Sequence, residues 1–229
     1  MEQIKSAISH RDIDYILKTF FTGSPPRLKD AFRMESDLWD FKSGCPGHGD
    51  SASWAQIAAD VLAFYNTSGG LLFFGIDDAK YAYCGTQTSF DSKLFNDKIR
   101  RYCGDKFFVH YVKPVLDSSG RYLGVALIPK RGLQVVPLFA DAPMLGGKAY
   151  FRAGDIPIRR GDETAILRGD NAVDYLKLLR IPNANAQFLV NEVSYRIIRP
   201  DWDEFVPRDS LCDSVLEGLQ DERRGVHLV

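Results

Sequence analysis

The sequence predicts a mixed α/β (α+β) domain, with helices packed on a largely antiparallel sheet. Three observations predict it. Apolar residues recur near helical spacing at Trp54, Ile57, Ala58, Val61, Leu62 and Tyr65. A continuous apolar run, Leu71 to Ile76, follows almost at once. Further on, Asp117-Ser118-Ser119-Gly120 joins two strand-like segments as a hairpin turn. The short connections and mixed element order argue against a doubly wound nucleotide-binding fold.

Taken in order, Asp12 to Phe20 reads as a short amphipathic helix, closed by the breaker at Thr22 to Pro26. From Leu38 onward the alternation fits a strand, with Asp40 and Lys42 on one face and Trp39 and Phe41 on the other. A loop rich in Gly, Ser and Pro spans Ser43 to Ala52, and Ser53 is the candidate N-cap of the next helix. Asn66 and Gly69-Gly70 end that helix, Asn66 as a cap, and open the apolar strand, which is bounded beyond by Asp77-Asp78. The remainder alternates: a helix from Ser92 to Arg101, strands from Phe107 to Val115 and Tyr122 to Ile128, a turn at Gly146-Gly147, two short strands around Ala149 to Arg160, and a helix from Asn171 to Leu179.

Composition sets the outer bounds. A chain of 229 residues with 45% hydrophobic content can bury a real core. No apolar run approaches the length needed to cross a membrane and no signal segment opens the chain, so the expectation is a cytoplasmic protein without a membrane partner. Cys45, Cys84, Cys103 and Cys212 are scattered, which indicates inert thiols rather than a disulfide framework or a zinc site. His10, His48, His110 and His227 are isolated and read as surface or packed histidines. The net charge of -1 excludes nonspecific polyanion binding by the whole surface, so any nucleic-acid face must be local. Its candidates are Lys98, Arg100, Arg101 and Lys106, then Lys130-Arg131, and finally Arg152, Arg159 and Arg160. Tyr102, Phe107 and Phe108 lie among the first group, either to stack on bases or as core.

The acids carry the chemical signal. Glu35 and Asp40 are five apart, an odd spacing that places them on opposite faces of a strand, so they converge only if the backbone bends between them. Glu35 would then approach from a preceding turn, and Asp78, with Asp77 as the alternative, stands at the end of the apolar strand. Carboxylates about 4 Å apart repel by roughly 4 kcal/mol per pair at an effective dielectric near 20. Something positive must join them: a metal, a proton, or Lys42. A cluster of that kind can hold a divalent metal against a phosphodiester.

These residues resemble the Schlafen/AlbA-type domain family. In that family a Glu-x-x-x-x-Glu-Phe-Lys element precedes a helix ending Ala-x-x-Asn-x-x-Gly-Gly, a buried strand ending Gly-Val-x-Asp, and a Gly turn. The matching positions are Glu35, Asp40, Phe41, Lys42, Ala63, Asn66, Gly69, Gly70, Gly75, Ile76, Asp78 and Gly85. Tyr150, Arg152 and Gly154, followed by Arg159-Arg160, look like the family's closing strand pair. The resemblance implies a metal-dependent endonuclease acting on RNA of the transfer-RNA kind. Glu35, Asp40 and Asp78 would hold Mg²⁺ or Mn²⁺, with Lys42 assisting electrostatically. Its alternative is a member that binds nucleic acid, or serves assembly, without cutting. Asp40 departs from the family's glutamate, shortening that arm by roughly 1.5 Å.

Domain organisation follows from these elements: an N-terminal helical extension (1–30), the Schlafen/AlbA-like domain (31–181), and a linker with the start of a further module (182–229), the boundary lying at Pro182 to Ala186. Arg223 to Val229 is similar to the opening strand of a P-loop ATPase, without a Walker motif. The expectation is therefore the effector part of a larger bacterial defence-type ATPase that forms a homo-oligomer through its downstream module.

Overall fold

Each face of one short, wholly buried strand is covered by a different set of helices, and this arrangement positions everything else. The computed structural model describes residues 1–179 apart from 88–89, 133 and 146. The chain divides into two units, 1–173 and 174–229. The expectations for residues 182–229 lie outside the described residues.

Two helices open the chain, α1 (Glu2–His10) and α2 (Ile13–Phe20). The sequence reading found only the second. Asp12 caps α2 by accepting from Tyr15 N at 2.9 Å. A small hairpin follows, β1 (Phe21–Thr22) with β2 (Arg27–Leu28). Next come β3 (Trp39–Lys42), α3 (Ser51–Asn66) and β4 (Gly70–Phe74). The cap of α3 is Asp50, whose Oδ1 accepts from Ser53 N at 3.0 Å, so the helix starts earlier than Ser53.

At Gly75 the chain breaks from β4 into a second hairpin, β5 (Ile76–Asp77) with β6 (Ala82–Tyr83). Gly75 has φ +96°, and a Cβ there would fall 3.0 Å from both Gly85 Cα and Tyr122 O. Helix α4 (Ser92–Cys103), capped by Asp91, leads to β7 (His110–Leu116) and β8 (Tyr122–Ile128). The last elements are the pair β9 (Met144–Leu145) and β10 (Lys148–Ala149), the pair β11 (Ile156–Arg160) and β12 (Glu163–Leu167), and α5 (Gly169–Leu179). The closing strand pair is thus β11 with β12, and Tyr150 to Gly154 is the loop before it.

The main sheet runs β3-β4-β8-β7, with β3 parallel to β4 and the other pairs antiparallel. Edge strand β7 tolerates Pro114 because its register shifts between Val112 and Val115. In β4 the side chains alternate as a strand's must. Leu72 and Phe74 face α3 and α4, while Leu71 and Phe73 join Ile4, Ile16, Phe20, Trp39 and Phe41 on the other side. Residues 1–30 therefore supply one wall of the same core. Phe20 meets Phe73 at 5.0 Å between ring centroids and Trp39 at 5.2 Å.

The motif residues between α3 and β4 are explained by packing. A Cβ on Gly69, which has φ +72°, would lie 2.8 Å from Ile128 O and Lys130 N, and one on Gly70 would enter the Phe64 ring. Asn66 is fully buried and pins three backbone groups: its Nδ2 donates to Val136 O (2.8 Å) and Pro157 O (3.0 Å), and its Oδ1 accepts from Val136 N (2.9 Å). It is a clamp between distant segments rather than a helix cap.

Candidate functional site

Trp39 and Phe41 are drawn into the core on one face of β3, which turns Asp40 and Lys42 toward α3 on the other. There Lys42 Nζ lies 2.9 Å from Asp40 Oδ2 and 3.1 Å from Asp60 Oδ2. Asp60 projects from α3, with its Oδ1 accepting from Thr164 Oγ1 at 2.7 Å. A second cation arrives from β11: Arg159 Nη1 is 3.4 Å from Asp40 Oδ2, and its Nη2 donates to Ser36 O at 2.9 Å. The guanidinium carbon stands 4.5 Å from the centroid of the Phe64 ring, so that aromatic face helps hold the charge in the interior.

Glu35 completes the group. A turn in which Ser36 N donates to Trp39 O bends the chain, and Glu35 Oε1 then accepts from Phe41 N at 3.3 Å. Burial, a hydrogen bond to Asp40 and the charge of Asp40 push its carboxyl up to about 7. Asp40 Oδ1 is buried and has no hydrogen-bond partner. Burial works against the Lys42 ammonium, but Asp60 and Asp40 outweigh it and hold the pKa above its ordinary value. Burial raises Asp60, opposed by Lys42.

Of the acids singled out from sequence, Glu35 and Asp40 therefore meet, with Lys42 beside them, and Asp78 does not join them. Asp40 is level with Leu72 of the parallel neighbour β4, whereas Asp78 lies beyond the Gly75 break, in the exposed turn of the β5–β6 hairpin. There it accepts from Ala79 N at 2.9 Å, and Asp77 accepts from Lys80 N at 3.0 Å. The glycine that the motif supplies is what carries Asp78 away. Among the described residues no group of three His, Cys, Asp or Glu side chains is arranged to hold a metal ion. The donor set agrees: Asp40 and Asp60 are matched by Lys42 and Arg159, and burial makes the Glu35 carboxylate harder to ionise. Glu35, Asp40 and Asp78, as placed, do not fit Mg²⁺ or Mn²⁺.

The basic residues are divided. Arg159 is withdrawn, its side chain 1% exposed. Lys98 donates to His48 O at 2.7 Å, tying α4 to the glycine-rich loop. Arg100 pairs with Asp97 (3.4 Å) and Asp105, and Arg101 lies 5.6 Å from the Tyr102 ring centroid. Arg152 and Arg160 are exposed. Phe107 stacks on Tyr65 at 4.0 Å, while Phe108, for which the sequence leaves both stacking and core burial open, is 49% exposed.

Sequence reasoning missed Asp60 and the inward role of Arg159. A signal for the first existed: one acid within the apolar turns of α3, where an unpaired charge is costly. Arg159 carried no such signal, because β11 approaches β3 only through tertiary packing.

The model of the family described as Schlafen, AlbA_2 matches residues 35–167, the stretch that holds every member of this cluster. No curated protein matches the chain. Among solved structures, the DIP2311 protein from Corynebacterium diphtheriae is similar at a TM-score of 0.48 and 13% identity, over 88% of this chain and 40% of that one. The chain thus spans 40% of the length of that protein.

Proposed function

Because the chain belongs to the Schlafen, AlbA_2 family, a nucleic-acid-related domain, we propose that it binds RNA and that its acid cluster serves the fold rather than metal-dependent cleavage. One observation carries the second half. Asp40 and Asp60 are paired with Lys42 and Arg159 inside the protein, so their negative charge is already matched. A metal-dependent endonuclease needs acids whose charge is open to the ion and the phosphate.

The rival reading is an Mg²⁺- or Mn²⁺-dependent endoribonuclease using Glu35, Asp40, Asp78 and Lys42. It is favoured by one fact, the convergence of Glu35 and Asp40 next to a lysine. Assembly as a homo-oligomer through a downstream ATPase, in antiphage defence, extends either reading and rests on the sequence pattern of residues 182–229.

The test is incubation of the purified chain with labelled transfer RNA and with duplex DNA, in Mn²⁺ and in EDTA. The expected result is RNA retained by the protein in EDTA, weakening with salt by about 0.7 per neutralised phosphate on logarithmic axes for single strands, and RNA intact in Mn²⁺. Cleavage that requires Mn²⁺ and disappears in both Glu35→Ala and Asp78→Ala would establish the rival.

A further inference from the structure

A groove of about 340 Å³ opens where β8 ends and β7 begins, roofed by α1 and floored by the turn between α3 and β4. The fold holds its parts in place. His110 and Leu127 are cross-strand partners, Asn96 receives Val109 N at 2.8 Å just before β7, and Gly69 lets the floor approach Lys130. Three cations line it, Lys5, Arg11 and Lys130, along with His110 and the exposed Phe108, and no acid is among its lining residues.

For a chain of net charge -1, that is a concentrated patch of one sign. Lys5 pairs with Glu2 at 3.1 Å, but that carboxylate side chain is 88% exposed and such surface pairs are weak and easily exchanged. Arg11 ends α1 in the left-handed conformation at φ +57°, lines the groove together with His110, and its charge adds to burial in lowering the pKa of His110. A second cavity, along α4, has Arg100, Arg101 and Lys106 opposed by Asp97 and Asp105. Two acids thus offset much of the charge on that face, whereas Lys130, also singled out from sequence, stands in a groove without an acid among its lining residues.

We propose that the α1–β7–β8 groove binds single-stranded RNA: Lys5, Arg11 and Lys130 receive consecutive phosphates, and Phe108 stacks on a base between them. Cations along a groove with an aromatic platform are what single strands require, since stacking needs an unpaired base. The proposal rests on the reading that this domain binds RNA, and adds where. It also gives residues 1–30 a part in binding, because Lys5 and Arg11 precede the stretch matched by the family model.

The experiment is fluorescence anisotropy of the full chain with a labelled twelve-nucleotide uridine strand, across a salt series. Variants are Arg11→Glu with Lys130→Glu, Phe108→Ala, and Arg100→Glu with Arg101→Glu, each checked for an unchanged thermal midpoint. The groove charge reversals are expected to weaken binding at least tenfold and to flatten the salt dependence by about 0.7 for each phosphate no longer neutralised. Phe108→Ala is expected to weaken it by about fivefold or more, and the α4 reversals to leave it unchanged. Binding that ignores the groove variants overturns the groove and spares the RNA reading; no binding by the wild type overturns both. Uridine monophosphate or inorganic phosphate displacing the strand at its own dissociation constant would make this a small-anion site instead.

Discussion

Arg159 reaches Asp40 across 119 positions of sequence, Nη1 to Oδ2 3.4 Å, with side chains only 1% and 3% exposed. Removing Asp40 strands the Arg159 charge in the interior, at a cost of about 3–5 kcal/mol, whereas removing Arg159 leaves Asp40 paired with Lys42. Urea unfolding of Asp40→Ala should show a loss of that order and Arg159→Met a smaller one, with the double variant losing less than their sum. Strict additivity would mean that the two are not coupled.

Glu35 titrates in the window that matters for handling the protein. Its folded pKa, about 7, lies above the ordinary value of 4.5, so the folded state binds the proton more tightly. The stability this gives is complete below the ordinary value and declines as pH rises to about 7. Glu35→Gln, which keeps a donor for Asp40, should flatten the stability profile across that interval. It should also stabilise the protein at pH 8 by on the order of 1 kcal/mol, discounted because the group is partly exposed. An unchanged profile would mean that Glu35 and Asp40 share no proton.

The clamp made by Asn66 should be costly to delete. Asn66→Ala leaves the N–H and carbonyl of Val136 and the carbonyl of Pro157 without their buried partner. Each such group costs about 1–3 kcal/mol, so thermal unfolding should show a loss of on the order of 3 kcal/mol or more. A loss under about 1 kcal/mol would mean that water takes over the role.

Metal should leave stability alone. An ion bound only by the folded state raises the unfolding midpoint, by about 2.7 kcal/mol at a hundred times its dissociation constant. Millimolar Mn²⁺ or EDTA is expected to shift the midpoint by less than a degree. A rise of several degrees that vanishes in Asp40→Asn would place an ion at the cluster.

Much of the fold was legible because local physics decides it. Helix α3, the buried strand β4 and the Asp117–Gly120 turn rest on periodicity and turn chemistry, which neighbouring residues carry by themselves. Burial of β4 on both faces could likewise be read from its unbroken apolar run. Helix α1 was not found, since its three buried residues, Ile4, Ala7 and Ile8, make a thin stripe that acquires meaning only against the sheet.

The candidate site divides in the same way. Spacing and Coulomb repulsion act locally, so the chain's order of residues already implied that Glu35, Asp40 and Lys42 could meet through a bend and that a positive partner was required. Tertiary packing chose the partners: Asp60 across from α3 and Arg159 from a strand more than a hundred residues away, with burial raising the Glu35 pKa beside them. It also decided that Asp78 turned outward, since Gly75 ends the strand that would have carried it inward. Long-range pairing depends on how elements pack, and no spacing along the chain encodes it.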